Sequence, residues 1–231
     1  MRSMPTISSI PAIFPVVGYQ TKDAISGFQM VTPSFKNLAT ESYPIDKFTV
    51  QGATDGMTSI QVLDENGLTK GMYYWYNEFV DGDTTYPAGW FDALGVESAN
   101  ISLESGVAVF FYTEESGVTI QSAGEVPGEI TKSISGYVMF GNGSPVSIDV
   151  DEMTVQGATD GMTSIQVLDA NGLTDRMYYW YNEFTDGGTT YPAGWFDALG
   201  VEPANIKLEP GAAVFFYSEE ANVSATVPSA L

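Results

Sequence analysis

The sequence contains neither cysteine nor histidine, and each absence removes a class of chemistry. Without cysteine the chain forms no disulfides and no thiolate metal sites. Without histidine it lacks the usual general base and the commonest ligand of transition metals. Basic residues are also scarce, since 8 Lys and Arg stand against 29 Asp and Glu. The resulting net charge of -21 argues against nucleic acid as a partner, because phosphate binding needs clusters of basic side chains.

Long apolar runs are also missing, and none reaches the roughly 18 residues of a membrane-spanning helix. We therefore expect no membrane span. The first 19 residues make a poor signal peptide, because Pro5, Pro11 and Pro15 interrupt the apolar residues and no small-residue cleavage site follows. Apolar residues are nevertheless plentiful: 44% of the chain is hydrophobic and 13% is aromatic, which is enough to build folded cores.

The most specific signal is an internal duplication. Residues 49–115 align with residues 154–220 at a constant offset of 105, and only 10 of the 67 positions differ. The similarity continues more weakly upstream, where residues 25–28 resemble residues 134–137 at an offset of 109. We therefore divide the chain into an N-terminal arm, residues 1–15, and two β-domains, copy 1 (residues 16–126) and copy 2 (residues 127–231).

Within each copy the apolar pattern predicts about seven short strands separated by Gly and Asp turns. Asn66-Gly67 after an alternating strand is a strong hairpin signal, because a type I′ turn needs positive φ at both central residues. Residues 90–94 fit a single helical turn that ends at Gly95. The fold class predicted is all-β, with two tandem β-sandwich or small-barrel domains of the same fold.

Candidates for catalysis are weak, and we predict that the protein is not an enzyme. Hydrolysis by a Ser nucleophile lacks a His base and a Gly-x-Ser-x-Gly elbow. A Ser-Lys dyad is disfavoured, because no lysine is expected to recur between the copies: Lys47 becomes Glu152, Lys70 becomes Asp175, and Lys207 replaces Ser102.

Carboxylate pairs give little more. Thr54-Asp55-Gly56 recurs as Thr159-Asp160-Gly161, one in each half, but two-lobed aspartic proteases use the order Asp-Thr-Gly. A tight turn is the favoured interpretation of this motif. Glu78 and Glu183 are the only candidates for a glycosidase pair, and contact with solvent at a strand edge is their favoured role.

A calcium site is the one metal site for which the sequence offers ligands. Asp81 and Asp83 flank a glycine in copy 1, and Asp186 occupies the first of these positions in copy 2. Carboxylate oxygens on one short loop suit a hard cation, although copy 2 lacks the second carboxylate. We predict no other cofactor.

Aromatic side chains dominate one segment, residues 72–79, which recurs almost unchanged as residues 177–184. On a strand, Tyr74 and Tyr76 share one face, opposite Tyr73 and Trp75. Either both faces are buried, or one offers aromatic rings on which sugars can stack. The candidate stacking residues in the two copies are Tyr74, Tyr76, Trp90, Tyr179, Tyr181 and Trp195.

The N-terminal arm carries apolar residues with no place in the repeat: Met4, Ile7, Ile10, Ile13 and Phe14. Such an arm can add as a strand to a neighbouring subunit or pack on its own domain.

Several short motifs resemble those of a loosely defined group of secreted bacterial β-repeat proteins. They are Val17-Gly18-Tyr19, Gly89-Trp90-Phe91-Asp92, Leu103 to Gly106 before Val109-Phe110-Phe111, and the copy 2 counterparts of the last two. Copy 1 carries the closing pattern of that group as Ala123-Gly124-Glu125-Val126, and the final residues, 227–231, depart from it. The resemblance implies export and a β-rich fold, and it carries no activity.

These observations favour an extracellular or cell-surface structural protein, a self-assembling surface-layer or filament subunit built from two homologous β-domains. Strand exchange by the arm is one way to link such subunits, and the expected partner is then another copy of the same chain. The alternative is a carbohydrate-binding or adhesive module that presents exposed aromatic rings to glycans.

Overall fold

The computed structural model of the chain describes residues 16–64 and 68–230. All pairings between its strands are antiparallel. The only helical segments in these ranges are two 3-10 turns, Ile45–Lys47 and Val150–Glu152. Two β regions follow one another, 17–125 and 130–227, within copy 1 and copy 2 respectively. The prediction of an all-β fold is confirmed.

The described residues of copy 1 form twelve strands in four sheets. The strands are β1 Val17–Asp23, β2 Gly27–Val31, β3 Ser42–Pro44, β4 Thr49–Gln51, β5 Thr58–Leu63, β6 Thr69–Tyr76, β7 Phe79–Asp81, β8 Thr84–Tyr86, β9 Gly89–Phe91, β10 Ser102–Glu104, β11 Val109–Thr113 and β12 Thr119–Glu125. The strand orders are β1-β12-β4 in a three-stranded sheet and β2-β11-β5-β6-β9 in a five-stranded sheet. Two smaller sheets pair β10 with β3 and β7 with β8.

Residues 127–230 of copy 2 form ten strands, because two of them are longer than their counterparts in copy 1. The strands are β13 Ile130–Gly141, β14 Ile148–Asp149, β15 Thr154–Gln156, β16 Thr163–Leu168, β17 Thr174–Tyr181, β18 Phe184–Asp186, β19 Thr189–Tyr191, β20 Gly194–Phe196, β21 Lys207–Leu208 and β22 Ala213–Val227. The main sheet has the order β13-β22-β16-β17-β20, with β15 also paired to β22. Strand β22 thus continues through the equivalents of both β11 and β12.

Each copy is a sandwich because inward side chains of its two sheet layers meet in one core. In copy 1, Val50 and Ile120 from the three-stranded sheet join Ile60, Trp75 and Phe111 from the five-stranded sheet, and all five are buried. Burying side chains of this size stabilises a fold by about 1.5–3 kcal/mol each.

Copy 2 repeats this core at its own positions, with Val155 and Ala225 facing Ile165, Trp180 and Phe216. The paired Trp rings of the two cores, one on the long aromatic strand and one on the edge strand beside it, have the same 5.4 Å centroid separation and 72° interplanar angle in both copies.

The hairpin predicted from Asn-Gly is seen in copy 2, but its predicted type I′ turn is wrong, because Gly172 has positive φ and Asn171 does not. There β16 and β17 pair, the Asp169 N–H donates to the Leu173 carbonyl at 2.8 Å, and Gly172 has a φ of 78°. In copy 1, residues 65–67 lie outside the described residues, but β5 and β6 pair in the same way.

The predicted helical turn at residues 90–94 is wrong. Gly89–Phe91 is an edge strand on β6. A turn follows it, in which the Asp92 carboxylate accepts the backbone N–H groups of Val96 and Glu97. These hydrogen bonds also lower the pKa of Asp92. A short carboxylate that bonds nearby N–H groups favours such a turn over a helix, and Gly95 supplies the positive φ of 69°.

The two copies contact one another through reciprocal main-chain bonds. The Thr32 N–H donates to the Gly211 carbonyl and the Gly141 N–H donates to the Gly106 carbonyl, both at 3.0 Å. Gly106 and Gly211 are 105 residues apart, and Thr32 and Gly141 are 109 apart, so each bond is the counterpart of the other. Equivalent residues that exchange equivalent contacts define an isologous interface, the kind that a homodimer with a two-fold axis makes.

Apolar side chains fill the centre of this interface. Phe110 and its counterpart Phe215 meet edge to face, with ring centroids 5.5 Å apart. Buried Met30 and its counterpart Met139 pack in the same cluster. The two copies therefore share a third, smaller core, distinct from the core of each sandwich.

Candidate functional site

The outer faces of the large sheets carry the aromatic side chains that do not enter the core of either sandwich. Along β11, Val109 and Phe111 point inward and are buried, so the alternation of a strand turns Phe110 and Tyr112 outward. Along β6 Trp75 points inward, so Tyr74 and Tyr76 lie on the outer face. We call this surface of copy 1, and its counterpart in copy 2, the outer face.

In copy 1 the outer face contains a groove of about 350 Å³. Aromatic and thioether side chains form much of it, with Ser59 and Gln61 as polar groups; the apolar lining residues include Phe28, Met57, Met72, Tyr74, Phe110 and Tyr112. The ring of Phe28 lies 4.5 Å from that of Tyr112. The Tyr112 hydroxyl donates to Glu114 at 2.5 Å, and this hydrogen bond raises the pKa of Tyr112.

Copy 2 repeats these contacts on its own outer face. Tyr137 takes the place of Phe28, and its ring lies 4.4 Å from that of Tyr217. The Tyr217 hydroxyl donates to Glu219 at 2.6 Å, which raises the pKa of this tyrosine as well. An apolar floor with a few fixed polar groups is suited to stacking and hydrogen bonding, in both copies alike.

A second surface is formed by two exposed ribbons. Strands β7 and β8 pair only with each other among the described residues, and all their residues are exposed. Phe79 and Tyr86 stack across the ribbon with centroids 4.5 Å apart and planes 4° apart. In copy 2, Phe184 and Tyr191 stack at 4.8 Å and 10°. A lone two-stranded ribbon gains little stability in water, and its stacked rings form an exposed apolar patch in each copy.

The predicted stacking residues divide into two groups. The prediction that Trp90 and Trp195 stack on a ligand is wrong, because they are 2% and 0% exposed and lie in the cores. Their strands β9 and β20 turn the indoles inward onto the aromatic strand. The Trp90 Nε1–H donates to the Phe48 carbonyl at 2.5 Å, and this hydrogen bond fixes the indole in the core.

The tyrosines among the predicted stacking residues lie on the outer faces and are partly exposed. Tyr74 lines the groove of copy 1, and Tyr179 holds the equivalent place in copy 2. Tyr76 and Tyr181 are more constrained, since each packs edge to face on the phenylalanine of the neighbouring edge strand at 5.9 Å. Tyr74 and Tyr179 therefore remain as candidate contacts for a ligand.

The proposed calcium ligands gain no support. Asp81 and Asp83 are exposed at the end of the β7–β8 ribbon, and Asp186 ends β18 in copy 2. In residues 16–64 and 68–230, no three acidic side chains come together in a group that could hold a metal ion.

The recurrent Thr-Asp-Gly motif is a turn, as favoured from the sequence. Gly56 has a φ of 73°, and Asp55 accepts the backbone and side-chain N–H groups of Asn77, both at 2.7 Å. Asp160 binds Asn182 in the same way in copy 2. Each carboxylate is thus engaged within its own copy, and the pair does not form a shared acid.

The predicted assembly arm, Met4, Ile7, Ile10, Ile13 and Phe14, lies outside the described residues. No helix in the described part of the chain is long and apolar enough to cross a membrane.

Sequence reasoning missed one recurrent pair of basic residues. Lys22 on β1 pairs with Ile120, and Lys132 on β13 pairs with Ala225, the counterpart of Ile120, so the two lysines are structurally equivalent. Their separation is 110 residues instead of 105 or 109, because the register of β13 shifts between Ile134 and Gly136.

Each of these lysines reaches across the interface to the equivalent glutamate of the other copy. Lys132 forms an ion pair with Glu104, and Lys22 is attracted to Glu209. Burial lowers the pKa of Lys22 from its ordinary 10.5 to about 8, and Glu209 opposes that change. Strand pairing was the only signal that could have revealed this equivalence.

Comparison with known protein families, with curated proteins and with solved structures finds no match to this chain. The candidate sites therefore rest on their own geometry.

Proposed function

We propose that the protein is an extracellular structural subunit that assembles with further copies of itself into a surface layer or filament. One observation carries this proposal: large apolar side chains are exposed at equivalent positions in both copies. The pairs are Met57 and Met162, Leu68 and Leu173, Met72 and Met177, Phe79 and Phe184, Tyr86 and Tyr191, Leu94 and Leu199, and Val96 and Val201.

The exposure of these side chains is large enough to need an explanation. Leu94 and Leu199 are 81% and 82% exposed, in the turn that follows each edge strand. Isolated exposed apolar residues are ordinary, but a set repeated in two copies provides two similar exposed apolar surfaces on one chain. A chain with two such surfaces can bind two neighbours, which is what a polymer requires.

The net charge of -21 fits this role. Self-repulsion keeps single chains apart at low salt, and salt screens that repulsion within about 10 Å at 0.1 M. Assembly through the apolar surfaces is therefore expected to increase with ionic strength. The resemblance to secreted β-repeat proteins supports a location outside the cell.

The test is light scattering and negative-stain microscopy of the purified chain across concentration and salt. The double variant Leu94→Ser, Leu199→Ser should raise the concentration needed for assembly at least tenfold. Leu38→Ser is the matched control, because Leu38 is 63% exposed but lies in the stretch where copy 1 is four residues longer than copy 2, outside the repeated set. A monomer at every concentration and salt, or equal effects of the two variants, would contradict the proposal.

A second candidate function, carbohydrate binding, is favoured by the groove beside Tyr74. Its aromatic floor with Gln61 and Ser59 can accept one face of a sugar ring and bond its hydroxyls. A glycan array with the wild-type chain and the variant Tyr74→Ala, Tyr179→Ala tests this function. Binding that the double variant abolishes supports it, and an array without signal removes it.

A further inference from the structure

The interface between the copies departs from two-fold symmetry at the edges of two equivalent strands. Copy 2 closes tightly on β1: Gln20 donates to the Pro210 carbonyl at 3.3 Å, and the cavity left between them is about 10 Å³. Copy 1 stands away from β13. Two grooves of about 480 and 630 Å³ run beside that strand, lined on one side by residues 127–133, 135 and 137–139 and on the other by residues of copy 1 that include Glu104 and Val107.

The open groove exposes a strand edge. Strand β13 lies at the edge of its sheet, and β22 is its only partner strand in the described part of the chain. Main-chain contacts of copy 1 with this edge lie only near its end, through a bridge from Val107 to Phe140 and the bonds beside it, and the Lys132 side chain reaches across the groove to Glu104. The N–H and C=O groups along the outward edge of residues 130–138 therefore form a template for an added strand.

The sequence of the N-terminal arm fits the outermost place in a sheet. Its three prolines, Pro5, Pro11 and Pro15, all occupy odd positions. In an extended strand the N–H groups of successive residues point to opposite sides, so all three missing N–H groups would face solvent. The even residues, 6 to 14, would then direct a complete set of N–H groups toward one neighbouring strand.

The arm also begins at the right place. The Val126 N–H donates to the Val16 carbonyl at 2.7 Å, and β13 starts four residues after Val126. Four residues span at most about 14 Å, so the root of the arm lies near the start of β13. Fifteen extended residues cover up to about 50 Å, which exceeds the length of the twelve-residue β13.

We propose that residues 4–14 of the arm add to the open edge of β13 in the same chain, as an outermost antiparallel strand. The direction follows from the root, since the arm runs toward Val16 while β13 runs away from it. The same chain is the favoured donor because a short tether gives an effective concentration in the millimolar range, above that of a neighbouring chain in dilute solution.

The absence of native cysteine allows a clean cross-linking test on the full chain. The variants Ser9→Cys with Ser133→Cys and Ser9→Cys with Ser135→Cys are treated with a short bis-maleimide. The matched control is Ser9→Cys with Asp23→Cys, because Asp23 holds the place on β1 that Ser133 holds on β13. An arm that moves freely reaches both strands alike, since Asp23 and Ser133 are each seven residues from the root.

The expected result is a cross-link within one chain that forms at least tenfold faster with Ser133→Cys or Ser135→Cys than with Asp23→Cys. Equal rates would overturn the proposal. Cross-linked dimers that increase with protein concentration would overturn the same-chain assignment and show that the arm of a neighbouring chain pairs with β13. Neither result depends on whether the chain forms filaments, so this test is separate from that of the assembly proposal.

A second measurement uses proline parity and needs no cross-linker. Ser8→Pro removes an N–H that faces β13, whereas Ser9→Pro removes one that faces solvent. Hydrogen exchange of residues 130–138 should rise at least tenfold with Ser8→Pro and change less than twofold with Ser9→Pro. Equal effects, or no change in either variant, would refute the added strand.

Discussion

Replacing Lys22 with methionine should change how the stability of the chain depends on pH. Lys22 lies at the interface, where burial lowers its pKa from 10.5 to about 8. In the unfolded chain the amine returns to its ordinary pKa, so between these two values the unfolded state binds more protons than the folded state. The free energy of unfolding therefore rises with pH across this window, and below about pH 8 the buried charge destabilises the fold.

The size of the effect follows from the two pKa values. Each unit of difference is worth about 1.36 kcal/mol. Between about pH 7 and pH 9.5 the full difference adds about 2 kcal/mol, and partial contact of the amine with solvent reduces this to about 1 to 2 kcal/mol. Lys22→Met keeps the length of the apolar stem and removes the amine, so this variant should lose that pH dependence.

The assay is urea unfolding at several pH values in this window, with tryptophan fluorescence as the signal, for the wild type, Lys22→Met and Lys47→Met. Lys47 is the control because its side chain is 67% exposed. The wild type minus Lys22→Met difference should change by about 1 to 2 kcal/mol with pH, and the Lys47→Met difference should stay constant. A Lys22→Met difference that is also independent of pH would refute the burial of this amine between the copies.

The two copies also test each other. Trp90→Phe leaves the buried Phe48 carbonyl without its donor, whereas the Trp195 Nε1–H has no protein acceptor in the described structure. Trp90→Phe should therefore lower the free energy of unfolding by about 1–3 kcal/mol more than Trp195→Phe, measured as the loss of hydrogen-exchange protection in each copy. Equal losses would contradict this. Phe110→Ala and Phe215→Ala should couple by about 0.5–1.5 kcal/mol in a double-mutant cycle followed by urea unfolding, because each ring is the other's edge-to-face partner. Strictly additive effects would mean that the rings do not meet.

The sequence predicts much of this fold because the duplication and the strand alternation are local patterns. The alternation along residues 72–76 correctly separates Trp75 from Tyr74, since successive residues of a strand face opposite sides. The same pattern could not place Trp90, because three residues are too few to distinguish an edge strand from a helical turn. Its burial depends on pairing with β6, which is a contact across the fold.

The interface between the copies could not be predicted for a related reason. Lys22 and Lys132 correspond only through their strand partners, and the register shift in β13 hides that correspondence from any constant offset. The exposed ribbons were equally hidden. The apolar residues Phe79 and Tyr86 give a core-like pattern, and only the absence of packing against the rest of copy 1 leaves them at the surface.

The reciprocal contacts between the copies bear on the polarity of any assembly built from this chain. A unit related to itself by a near two-fold axis presents almost the same surface after a half turn, as the paired Phe110 and Phe215 do. Filaments of such units have two ends that look nearly alike, whereas filaments of asymmetric units have a distinct head and tail. Growth at similar rates from both ends would then be a property encoded by the duplication itself.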